Sequence, residues 1–210
     1  MKFYLIILVF MSCFKLYAAV EINSFKSTSW DNSWNNVINK TLDDEQYVHM
    51  LDEPLDESDL KELNCLGFNQ STTSREEKKD FWLVFFSALT RAESAFNPKA
   101  RAKAPKGGQG NYGLLQFNKG TARDRCGIIS IQELLEPNSQ LSCGVHLLSW
   151  QLKGAPLKNG KLLRPDLKKQ LFGKYILLWG PLRQNDKAGR KLLVSWFKDH
   201  LNQLSFCKRV

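Results

Sequence analysis

The stretch that most constrains the fold lies between residues 74 and 98. Ser74 stands three residues before Glu77, the spacing of a capping box, in which the serine oxygen accepts from the third helical N–H and the glutamate reaches back to the serine N–H. The run that follows, Phe81-Trp82-Leu83-Val84-Phe85-Phe86 and then Ala88, Leu89 and Ala92, is apolar on every face of a helix. A helix without a polar face has to be surrounded by other elements. Asn97-Pro98 sets its expected end, because proline disfavours helical geometry at the residue before it. Glu93 then falls in the last turn of a buried helix, where desolvation and the negative end of the helix dipole both disfavour a carboxylate. Its pKa is expected to rise, as a general acid at neutral pH requires. The competing expectation is a surface acid at a frayed end, paired with Arg91 or Lys99.

Around this helix the spacing predicts others. Gly120-Thr121 opens a short helix to about Cys126, and Leu141, Val145, Leu148 and Leu152 share one face of a longer one. Asp166 is expected to cap a helix through Leu178 with Leu167, Leu171, Tyr175 and Leu178 on one face. A last helix over 186–206 turns Leu193, Phe197, Leu201 and Leu204 inward. No run alternates with period two for long enough to make a strand, so the fold class expected is all-α. Residues 20–39 read as irregular, since the Asn and Asp between Trp30 and Trp34 are poor helix formers. A short helix is expected over 42–50 with Thr41 as its cap, then another turn over 58–63.

The chain opens with Lys2, an apolar run from Phe3 to Met11 and the small pair Ala18-Ala19, the pattern of a signal peptide over 1–19. That run is too short to span a bilayer, which takes about 20 apolar residues. An exported protein without stable membrane insertion is expected. Cys65, Cys126, Cys143 and Cys207 then remain, an even number consistent with two disulfides in any of three connectivities; Cys126 with Cys143 and Cys65 with Cys207 is the pairing we expect. No Cys-x-x-Cys occurs and His49, His146 and His200 are scattered singly, so no metal site is expected. Charge is divided unevenly. Residues 20–65 carry 11 acids and 3 bases, a net of −8, whereas residues 66–210 carry 25 bases and 10 acids, a net of +15. A basic body suits an anionic polymer outside the cytoplasm, and no nucleic-acid motif is present. Whether the acidic leader, residues 20–70, packs on the body, inhibits it or tethers it stays open at this level.

Two blocks carry a resemblance. Ala92-Glu93-Ser94-Ala95-Phe96-Asn97-Pro98 is followed, after a basic connector over 99–110, by Gly113-Leu114-Leu115-Gln116. Together they resemble the Glu-Ser and Gly-Leu-Met-Gln blocks of the lytic transglycosylase and goose-type lysozyme superfamily, over about residues 81–206. The resemblance implies a lysozyme-like α-helical domain at 71–210, working without a cofactor as a monomer in the periplasm or outside the cell. Its partner would be peptidoglycan, cut at the bond between N-acetylmuramic acid and N-acetylglucosamine to leave 1,6-anhydro ends.

In such enzymes one glutamate suffices, and the residues agree: from Ser94 to Arg123 there is no Asp or Glu and there are six bases. Glu93 is the catalytic candidate. Ser94, Gln116, Tyr112 and Tyr175 are candidates for substrate binding, Gln116 because a carboxamide both donates to and accepts from an N-acetyl sugar. Were a second acid folded into the cleft, Asp124, Glu133 or Asp166 would be expected to supply it. The family's tyrosine before Gly-Pro is replaced here, since Leu177 stands at that position before Gly180-Pro181 and Tyr175 lies two residues earlier. The alternatives are a lysozyme-like muramidase, which uses water, and a wall-binding module without turnover.

Overall fold

The computed structural model describes residues 20, 22, 30–103, 110–156, 161–174, 176 and 178–209. The expected signal segment over 1–19 lies outside these residues, as do Tyr175 and Leu177. Eight α-helices are found among the described residues. In chain order, α1 is Ser33–Leu42, α2 His49–Asp52, α3 Glu57–Leu63 and α4 Arg75–Ser94. They are followed by α5 Lys119–Cys126, α6 Ile131–Leu134, α7 Pro137–Leu152 and α8 Lys187–Asp199. Three two-residue strands, β1 Arg101–Ala102, β2 Asn111–Tyr112 and β3 Phe117–Asn118, pair antiparallel in that order. The fold is helical, and this small sheet is too short to leave a period-two signal. No helix among the described residues is long and apolar enough to cross a membrane.

Helix α4 is the axis of the molecule. The capping box at Ser74 and Glu77 is formed in both directions, and every residue from Phe81 to Thr90 is buried. Phe81 contacts Phe68, Trp82 and Phe197 with ring centroids 4.6, 5.1 and 5.2 Å apart, edge and tilted geometries that add to simple burial. Two indoles of this core have polar partners on other elements. Trp82 Nε1 donates to the Met50 carbonyl at 2.9 Å, and Trp196 Nε1 donates to Ser87 Oγ at 2.9 Å. Helix α7 carries Leu141, Val145, Leu148 and Leu152 into the core, and the C-terminal part carries Leu193, Phe197, Leu201 and Leu204. That last helix is shorter than the pattern suggests. It ends at Asp199, and two 3-10 turns, Leu201–Gln203 and Ser205–Lys208, continue its buried face.

The acidic N-terminal part packs into the same core. Trp34, Ile38 and Leu42 form the buried face of α1, so residues expected to be irregular are helical from Ser33. Spacing of one residue per turn along a buried face outweighs the weak propensity of the intervening asparagines, because packing supplies most of a short helix's stability. The expected helix over 42–50 is replaced accordingly. Thr41 lies inside α1, with its hydroxyl on the Val37 carbonyl and on Ser142 of α7, and Asp44 caps a 3-10 turn at Glu45–Tyr47. Acids of this part meet bases of the body at Asp52 with Arg75, Asp43 with Lys79 and Glu62 with Arg190. Disulfides join Cys65 to Cys207 and Cys126 to Cys143, the first tying the segment before α4 to the far end of the chain.

The helix expected over 166–178 does not form. A 3-10 turn at Pro165–Leu167 ends at Lys168, and Lys169 takes a left-handed conformation, φ +68°. Asp166, expected to cap, pairs instead with Arg164. Distant partners take up the backbone that a helix would use internally. Oδ2 of Asp59, which is 4% exposed, accepts from the N–H groups of Leu171 at 2.7 Å and Phe172 at 3.2 Å. The Asp56 N–H donates to the Lys169 carbonyl, and Gly173 bonds to Leu182 and Gln184. A buried acid 112 residues away thus dictates an extended course.

Burial raises the Asp59 pKa from 3.8 to about 6, against the two backbone donors that lower it. Since the folded carboxyl holds its proton more tightly than the unfolded one, the unfolding free energy falls as pH rises from about 4 to about 6, by about 2–3 kcal/mol for this group. Asp59→Asn keeps an acceptor for Leu171 and removes the titration. Its stability, measured by denaturant unfolding across that window, is expected to gain on wild type as pH rises. Asp80 and Glu93 give slopes of the same sign, so the difference between the two proteins is the readout, and parallel curves would refute the assignment.

Candidate active site

Helix α4 ends one residue after Glu93. Ala95 and Phe96 both adopt left-handed conformations, φ +51° and +65°, and the Ala95 N–H closes the last turn on the Arg91 carbonyl. The helix therefore stops three residues before Asn97, ahead of the proline expected to break it. Left-handed backbone at two non-glycine residues costs on the order of 1–3 kcal/mol each. Burial of the Phe96 ring against Trp30 and Trp196, at 6.2 and 5.2 Å, holds the turn in place. Glu93 is left half-buried, lining a cleft. Among the described residues neither Arg91 nor Lys99 forms an ion pair with it.

The facing wall is built by the turn between β2 and β3. Gly113 has φ +73° and a Cβ there would lie 1.8 Å from Nε2 of Gln140, so no larger residue fits while α7 holds the turn. Gln140, fully buried, accepts from the Leu115 N–H at 2.7 Å and donates to the Tyr112 carbonyl at 2.7 Å. Its Nε2 also donates to Leu134. The Leu115 carbonyl in turn receives Trp179 Nε1 at 3.0 Å, joining this turn to the segment around Gly180-Pro181. These bonds enclose a cleft of about 430 Å³. Its polar lining comes from Glu93, from Asn111, Gln116, Asn118 and Thr121 on the sheet and α5, and from Arg183 and Asp186 after the Gly-Pro turn.

Of the residues singled out in the sequence, the structure brings Glu93 and Gln116 together in this cleft. The Gln116 carboxamide folds back to its own turn, Nε2 donating to the Gly113 carbonyl at 2.7 Å, which leaves Oε1 and one N–H hydrogen for another partner. Ser94 Oγ bonds to the Thr90 carbonyl at 3.2 Å, and Tyr112 lies beneath the Arg101 guanidinium, 5.9 Å from its ring; neither lines the cleft. Tyr175 lies outside the described residues. The acids expected as second carboxylates are elsewhere too. Asp124 pairs with Arg123 at 2.7 Å, Glu133 accepts from the Ile129 N–H at 3.2 Å, and Asp166 pairs with Arg164.

The carboxylate that does share the cleft is Asp186, which reads in the sequence only as the start of a helix. Its Oδ1 caps α8 by accepting from the Gly189 N–H at 2.9 Å. Arg183 donates from Nε to the Ile176 carbonyl at 3.1 Å and from Nη2 to the Leu178 carbonyl at 2.8 Å. Burial, with Asp186 as a second contribution and Arg183 opposing, pushes the Glu93 pKa up from 4.5 to about 7. A carboxyl so placed can donate a proton at neutral pH and take one back, the requirement for acid–base work on a glycosidic oxygen. No group of residues suited to holding a metal occurs among the described residues.

Comparison with known proteins agrees with the helical fold. Three solved structures of DslA, one wild-type form and two different Glu-to-Gln mutants, are each 26% identical to the chain, covering 84% of it and 91% of their own length. The TM-score is 0.60 for one mutant and 0.59 for the other two structures. No curated protein matches the sequence. The family model described as Transglycosylase SLT domain matches residues 70–163, the part of the chain that contains α4, the three strands, the Gly113 turn and α7, and this part is similar to that domain.

Proposed function

We propose that the chain cleaves the β-1,4 bond between N-acetylmuramic acid and N-acetylglucosamine in peptidoglycan, with Glu93 as general acid and then general base. The observation that carries this reading is a half-buried glutamate lining a polar cleft, with its pKa raised to about 7. The Glu93 carboxyl gives its proton to the glycosidic oxygen as the bond from C1 breaks, and the departing sugar leaves as an alcohol. The substrate's N-acetyl oxygen stabilises the cationic C1. The Glu93 carboxylate then removes the proton of the 6-hydroxyl, whose oxygen closes on C1 to give the 1,6-anhydro ring and restores the acid. Gln116 binds an N-acetyl group beside it. Ser94 and Tyr112 support the cleft from behind, at the helix end and in the sheet, and Tyr175 is the tyrosine nearest the family's position.

Residues 71–210 form the catalytic unit in this reading and residues 20–70 brace it. The two disulfides and the apolar start of the chain support export into the periplasm or beyond, where the substrate lies, and the net charge of +15 over residues 66–210 favours a wall rich in carboxylates. The protein works as a monomer without a cofactor.

Digestion of purified sacculi tests the reading. Fragments ending in 1,6-anhydro-muramic acid, detected by mass spectrometry and resistant to borohydride, are expected. Reducible ends would show hydrolysis in the manner of a muramidase, which commonly uses a second carboxylate. Absence of any released fragment would leave a wall-binding module.

A further inference from the structure

We propose that Asp186 is a positioning residue for Glu93, a fixed negative charge in the same cleft that keeps the Glu93 carboxyl protonated until substrate arrives. The inference rests on the reading of Glu93 as the general acid. Three observations carry it. Glu93, Arg183 and Asp186 are the charged side chains that line the cleft among the described residues. The Asp186 carboxylate is held through one oxygen, Oδ1 accepting from the Gly189 N–H at 2.9 Å, while Oδ2 lies so near Gly180 and Gly189 that a Cβ at either would fall 2.8 or 2.5 Å from it. The Arg183 guanidinium is committed to the carbonyls of Ile176 and Leu178, on either side of position 177.

This arrangement decides between two roles for a second acid. A base or nucleophile must present a free oxygen to water or to C1, whereas Asp186 has one oxygen committed to the α8 cap and the other beside Gly180 and Gly189. A like charge held near a carboxyl disfavours its ionisation whether or not it touches substrate. Arg183 pulls the other way on Glu93, and these are the two charged groups that act on it. Burial makes the largest contribution to the raised pKa, and these two charges adjust it in opposite directions. Where the resembled enzymes have a tyrosine, this chain has Leu177, and the bonds from Arg183 hold the backbone of its neighbours Ile176 and Leu178.

The test reads Glu93 directly. The protein is labelled with carboxyl-¹³C glutamate, the Glu93 resonance is assigned by its loss in Glu93→Gln, and its titration is followed by NMR in wild type, Asp186→Asn and Arg183→Gln. Asp186→Asn keeps an oxygen for the α8 cap, and its Glu93 midpoint is expected to fall by about one pH unit, with the alkaline limb of sacculus cleavage moving by the same amount. Arg183→Gln is expected to move the midpoint upward. A Glu93 midpoint unchanged in Asp186→Asn overturns the proposal. So does loss of cleavage at every pH with the midpoint shifted, which would mark Asp186 as a proton acceptor. If Asp186→Asn fails to fold, Asp186→Ser retains a capping oxygen and gives the same reading. Failure of the wild-type protein to cut sacculi would strike the proposed function and leave the NMR result standing on its own.

Discussion

Glu93→Gln is expected to lower peptidoglycan cleavage by roughly a thousandfold or more, the range for loss of a general acid that also serves as base, while the protein stays folded. The amide keeps the shape of the side chain in the last turn of α4 and cannot supply the proton. Because burial and Asp186 raise the Glu93 pKa to about 7, the wild-type enzyme loses its acid form as pH rises through neutrality, and cleavage is expected to decline there. The same shift sets a stability effect of opposite sense. A folded carboxyl whose pKa is raised above its unfolded value destabilises the fold once it ionises, so Glu93→Gln should be at least as stable as wild type at pH 8. Turnover on sacculi and thermal unfolding of the same samples check both halves. Activity within tenfold of wild type would remove Glu93 as the acid.

Deleting residues 20–59 is expected to abolish cooperative folding. The segment contributes Trp34, Ile38, Leu42, Met50 and Leu51 to the core, four of them at most 1% exposed. Burying each such side chain is worth about 1.5–3 kcal/mol, and their loss together reaches the whole stability of an ordinary domain, about 5–15 kcal/mol. The deletion also strips the Met50 carbonyl from the Trp82 indole and Asp59 from the backbone of Leu171 and Phe172, leaving buried donors without acceptors. A reading of this acidic segment as a detachable cover for the basic body predicts a stable truncated protein that binds sacculi more tightly at low salt. Circular dichroism of the truncated protein separates the two: a cooperative transition near the wild-type temperature would contradict the packing argument. Single changes such as Leu51→Ala are expected to cost about 2–5 kcal/mol each.

Much of the centre was legible because its signals are local. A capping box spans four residues, an apolar run with no polar face has to be buried wherever it goes, and Glu93 is carried with it by helical continuity. The Gly113-Leu114-Leu115-Gln116 block announced a tight turn in the same way, and spacing located α5 and α7. An even count of cysteines pointed to two bridges. Tertiary structure decided which pairs formed, and it placed Cys65 beside Cys207, 142 residues apart.

Elsewhere, local pattern misled where a distant partner took over. The residues from 166 to 178 have helical spacing, yet Asp59 captures the amides of Leu171 and Phe172 and turns them from internal to tertiary bonding. Asparagines around Trp34 argued against a helix that packing against α7 and α4 stabilises. Asp186 carried no mark beyond that of a helix start, whereas Asp124, Glu133 and Asp166 drew notice merely as acids. A carboxylate acts on Glu93 through space, and the Gly-Pro turn, Gly189 and the Arg183 bonds that hold this part of the cleft near it belong to the folded chain. Sequence alone determined which helix is buried and which acid it carries, since both follow from residues a turn or two apart. Which charges share the cleft with that acid was decided by contacts across about ninety residues, which the linear pattern does not encode because through-space electrostatics depends on distance and burial in the folded state.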